Sequence, residues 1–179
     1  MYLRDLAVFS SEVGSENHFT KVFDASTHIV VEPVLAWIPR NQVVLDDLAK
    51  LNVAAGEPQN QNSRYDKWQG VGTYYVTDFD FENYSSLGEE AQQKIVLDLL
   101  STAFRHVANQ SGSDASLCFD AIQRVTDSGL PLPRLNSEAF WKSLPPQKRR
   151  SKSYKENIEF TARIVDRDQR AQQTAGRPR

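Results

Sequence analysis

Asp78, Asp80 and Glu82 stand at two-residue spacing, so on an extended strand their carboxylates share one face, with Asp24 and Glu32 as further acids upstream. Such a row suits three chemistries: oxygen ligation of Mg²⁺ or Ca²⁺, a general acid and base, or recognition of a cationic partner. A solvated polar face opposite Tyr74, Val76, Phe79 and Phe81 is the competing reading. The second, spaced carboxylate motif expected of a hard-metal site is missing, so neither metal nor cofactor is expected.

The other reactive side chains are dispersed. His18, His28 and His106 form no HxH, HxxxH or HExxH spacing, which leaves them structural roles. Cys118 falls among Leu117, Ala121 and Ile122 on an apolar face, where a thiol acts as a small hydrophobe. One cysteine cannot build a disulfide framework or a Cys-rich zinc site, and it fits a reducing cytoplasm. No GxSxG occurs, and Gly70-Val71-Gly72 does not open a helix as a phosphate loop would. The expectation is therefore a binding protein and not an enzyme.

Charge is divided unevenly along the 179 residues. Trp141–Arg179 holds 11 basic and 4 acidic residues, net +7, which leaves the first 140 residues at net −9. Within the basic end, Lys148, Arg149, Arg150, Lys152 and Lys155 form the best nucleic-acid candidate, through counterion release from phosphates. The acidic body opposes a polyanion, and a solvated loop or an internal counter-charge explains the same run. Tyr65, Asp66, Trp68 and Tyr84 mix aromatics with carboxylates, as protein interfaces do, although core and rim packing uses them equally.

Strands are expected at Tyr2–Phe9, His18–Phe23, His28–Val34 and Gly72–Phe81, the last with a register change near Asp78. A short helix is read over Leu45–Leu51, and a surface loop over Ala55–Arg64. Leu87, Ala91, Ile95, Leu99, Ala103 and Val107 recur every four residues and predict a helix over Leu87–Asn109, with Ser86 and Glu89 at capping-box spacing. A second helix from Asp114 or Ala115 to Ser128, with Gly129 as its stop, completes a helical hairpin. Ser137–Leu144 reads as one or two helical turns and Ile158–Ile164 as a late strand. The expected fold is α+β: an antiparallel sheet with the hairpin on one face, one domain over 1–166, and a basic tail over 167–179 without periodicity. The apolar run at the start is broken by Arg4 and Asp5, so no signal peptide or anchor is expected, and no stretch approaches a membrane span.

Residues 74–130 carry a further pattern: the strand-end tract TDFDFENYSSL, a helix of the KIVLDLLSTAF type, and the second helix SLCFDAIQRVTDSGL. This stretch resembles small immunity proteins of bacterial polymorphic-toxin and contact-dependent growth inhibition systems. The resemblance implies a cytoplasmic protein that binds and neutralises one cognate toxin, here a cationic, nuclease-like domain, with no turnover. On that reading the contacts are expected at Asp78, Asp80, Glu82 and Tyr84 at the strand end and at Tyr65, Asp66 and Trp68 in the preceding loop. A nucleic-acid-binding adaptor using 148–155 is the alternative.

Overall fold

The computed structural model describes residues 1–11, 17–56, 64–133 and 137–149. The chain divides into two compact units, Met1–Leu132 and Pro133–Arg179, where the sequence leads to one domain ending at 166.

In the first unit the strands β1 (Asp5–Ser10), β2 (Lys50–Ala55), β3 (Tyr65–Trp68) and β4 (Val71–Val76) form one sheet in the order β1-β2-β4-β3. β1 pairs parallel with β2, β2 parallel with β4, and only β3 with β4 is antiparallel. The sheet is therefore mixed, and the expected antiparallel meander is corrected. The cause lies between β1 and β2. Parallel neighbours need a crossover connection, and the segment expected to supply two strands, His18–Phe23 and His28–Val34, is instead the single helix α1 (His18–Trp37). The run Ile29-Val30-Val31 favours strand locally. Burial overrides it: Phe23, Thr27, Val30, Val31 and Val34 are buried along one side of α1 at helical spacing. Asn17 caps this helix, its side chain accepting from the Phe19 N–H at 3.0 Å.

The expected helix over Leu45–Leu51 is also corrected. Leu45, Leu48 and Leu51 are all fully buried, as that reading requires. However, Asp46 (φ 47°) and Asp47 (φ 51°) are left-handed, and two consecutive left-handed residues break a right-handed helix into a turn. β2 follows directly. One face of the sheet, with Leu6, Val8, Leu51, Val53 and Tyr74, is buried. Gly72 shares this face, where a Cβ would lie 2.7 Å from Leu48 Cδ1.

The helical hairpin follows the sequence reading closely, as α3 (Glu89–Ser111) and α4 (Ser116–Asp127), with Gly112 (φ 70°) ending α3 and Gly129 (φ 91°) following α4. Its buried stripe is different: Val96, Leu97, Leu100, Phe104 and Val107 are buried, while Ile95 and Leu99 are only partly so. A four-residue repeat advances about 40° per step around a helix, so a series held at that spacing drifts off the core face. The capping box does not form. Ser86 closes the short helix α2 (Phe81–Ser86), donating its hydroxyl to Asn83 O, and α3 starts from Gly88 without a side-chain cap. α1 packs on β1, α4 rests on α1 and α3, and α3 reaches the sheet at β2.

In the second unit, α5 (Glu138–Ser143) is capped by Ser137, which accepts from the Phe140 N–H at 3.1 Å; α6 (Pro146–Arg149) follows. The start of the expected basic loop is thus helical, and Lys148 is buried at 8% exposure, not displayed. Arg150, Lys152, Lys155, the late strand and the tail lie outside the described residues. Among the described residues no helix is long and apolar enough to cross a membrane.

Candidate protein-binding surface

After β4 the chain alternates. Phe79 and Phe81 turn inward, while Asp78, Asp80 and Glu82 are exposed. The inward rings meet Phe23 of α1, with centroids 4.9 Å away for Phe79 and 5.3 Å for Phe81, and with Tyr84 at 5.1 Å. Tilted and edge-on packing of this kind fixes the segment from beneath.

The carboxylates above it do not share a strand face, which corrects the sequence reading. β4 stops at Val76; Asp78 (φ 56°) turns the chain, Asp80 caps α2 by accepting from the Asn83 N–H at 2.9 Å, and Glu82 stands in the first turn of α2. A carboxylate there is favoured by the positive end of the helix dipole. None of the three enters an ion pair among the described residues. Nor, among those residues, does any group of three or more His, Cys, Asp or Glu side chains come together to hold a metal ion.

Two of the proposed contact residues belong to the interior. Tyr84 is 1% exposed, its hydroxyl 2.7 Å from Ser26 Oγ, and burial pushes its phenol up to about 12. Tyr65 is buried on β3 and donates to Asp46 Oδ2 at 2.6 Å. Burial, then the hydrogen bond and charge of Asp46, hold that phenol far above the usual tyrosine range. Lys67, two residues on and on the same face, pairs with Asp46 Oδ1 at 3.0 Å. The alternate residues Asp66 and Trp68 therefore face outward, Trp68 at 73% exposure, on an edge strand.

The proposed contact set is accordingly divided. Trp68 pairs with Val71 at the start of β4 and Asp78 lies just beyond its end, so the six-residue strand, about 20 Å long, separates them.

Asp46 is the organising residue that the sequence reading missed. The visible signal was Asp46-Asp47 between leucines, since Asp tolerates left-handed backbone and makes turns. The remaining reactive groups have structural partners. Asp24 accepts from the Ser10 N–H at 2.6 Å and from its hydroxyl at 3.3 Å, tying α1 to the end of β1; burial raises its pKa despite these bonds. His106 packs its ring 5.1 Å from that of Tyr74. Cys118 is fully buried, its thiol pushed up to about 12 by burial and then by the Asp114 charge, which keeps it unreactive. No protein-family model matches the chain, and no curated protein and no solved structure matches it.

Proposed function

We propose that the chain is an immunity-type inhibitor that binds a cationic toxin domain in the cytoplasm through Asp78, Asp80 and Glu82, and works by occlusion, not turnover. One observation carries this reading: three exposed carboxylates, none of them ion-paired among the described residues, stand on a segment anchored by packed aromatic rings. Charges held in place before encounter lose little conformational freedom on binding, and unpaired ones give up no internal ion pair. The net −9 of residues 1–140 adds a long-range field that draws a basic partner inward. Tyr84 supports the mount from inside and makes no contact itself.

The test pairs the chain with the toxin domain encoded beside its gene. A submicromolar complex that protects cells from the toxin is expected, with an association rate that falls as salt rises. Reversing Asp78 and Glu82 to lysine together is expected to slow association at least tenfold at low salt. Asp80 is left in place because it caps α2. A gene neighbourhood without a toxin domain, or an association rate indifferent to the reversal, overturns the proposal.

A further inference from the structure

The end of the sheet opposite those carboxylates is built differently. Of the five large apolar side chains that are exposed among the described residues, Met1, Tyr2, Val44 and Trp68 lie at the amino-terminal end of the parallel strands; only Phe9 lies elsewhere. Hydrogen bonds stitch their segments together. The Leu3 N–H bonds to Val43 O at 3.0 Å, joining the segments that carry Tyr2 and Val44, and the Ala49 N–H bonds to Gly70 O at 2.7 Å in the turn that follows Trp68. Met1 lies over that turn: a Cβ on Gly70 would sit 3.1 Å from its sulfur.

The same loops hold strained backbone. Asn41, Asp46, Asp47 and Gln69 are four of the five non-glycine residues with positive φ among the described residues. At Asp46 the contacts to Tyr65 and Lys67 hold the turn in place.

Exposed charges of both signs stand near this end of the sheet. Lys67 and Asp47 are taken by internal ion pairs, leaving exposed Asp66 against exposed Arg4 and Arg40, none of them ion-paired among the described residues. The carboxylate disfavours a polyanion, and an apolar centre with both signs at its edge is complementary to itself, as a two-fold contact requires. We propose that this end of the sheet is the interface of a homodimer, Trp68 and Tyr2 of one protomer packing on the same residues of its partner while Asp66 meets Arg4 or Arg40. The acidic ends then point away from the interface, and two toxin domains are bound per dimer.

Sedimentation velocity of the full chain between about 1 and 100 µM is expected to show a species of twice 20.3 kDa. Trp68→Asp, at a side chain already in solvent, keeps the fold by circular dichroism and raises the dimer dissociation constant roughly 30-fold or more, as loss of a central tryptophan does. Asp66→Arg weakens the dimer too, and mixing it with an Arg4→Asp, Arg40→Asp variant restores association. Asp120→Lys, on the exposed side of α4, leaves the dimer intact. A chain that is monomeric throughout, or a dimer indifferent to Trp68→Asp, overturns the proposal, and neither result bears on toxin binding at Asp78 and Glu82.

Discussion

Ser26 and Tyr84 should respond unequally to deletion. If the Ser26 hydroxyl gives its one hydrogen to Phe23 O at 2.8 Å, the 2.7 Å contact between the two hydroxyls is donated by Tyr84. Ser26→Ala strands a phenolic donor that is 1% exposed, at a cost of about 1–3 kcal/mol. Tyr84→Phe leaves the Ser26 hydroxyl still donating and empties only a lone pair on a half-buried oxygen, about 0.5–1.5 kcal/mol. The serine deletion is thus expected to be the costlier, by on the order of 1 kcal/mol in urea unfolding.

Alkaline pH adds an independent measure. An unfolded tyrosine loses its proton near 10, whereas folded Tyr84 keeps it to about 12, a shift caused by burial. A pKa raised by folding gives stability that is fully present below about pH 10 and lost as pH rises through about 12. Wild-type stability should fall across that window by on the order of 2 kcal/mol more than that of Tyr84→Phe. Tyr65 contributes equally to both proteins and cancels. A phenylalanine variant weaker than the alanine variant, or one that keeps the whole alkaline loss, would refute the donor assignment.

Phe23→Ala removes the ring on which Phe79, Phe81 and Tyr84 meet, and a cavity there should cost about 3–5 kcal/mol in chemical denaturation. An unfolding midpoint close to wild type would show that the acidic segment has no such mount. Asp46→Asn tolerates the left-handed backbone but removes the charge beside Tyr65, so the phenol should ionise at lower pH in an ultraviolet absorbance titration. An unaltered titration would remove Asp46 as the organiser of β3.

Where local patterning and burial agree, the sequence is legible. The hairpin α3–α4 ends within about two residues of expectation because the apolar repeat, Gly112 and Gly129 all act within a few turns of chain. α1 is misread because β-branched residues are poor evidence when a helix buries them on a sheet. Asp78, Asp80 and Glu82 are recognisable as an exposed acidic group, but their spacing alone suggests a strand that Asp78 ends. Tyr65 and Tyr84 read as interface residues because a tyrosine's type does not reveal whether its hydroxyl finds an internal partner.

Composition and periodicity by themselves determined an acidic α+β body, a basic end, a helical hairpin and an inert cysteine, since these depend on residue type and near neighbours. Only the tertiary structure decided that β1, β2 and β4 run parallel, that the two tyrosines face inward, and that Trp68 and the carboxylates lie at opposite ends of β4. Each of those outcomes is set by contacts between residues far apart in the chain: Tyr84 with Ser26, Tyr65 with Asp46, β1 with β2. Their free energy exists only once the loops between them have closed, and no local pattern records it.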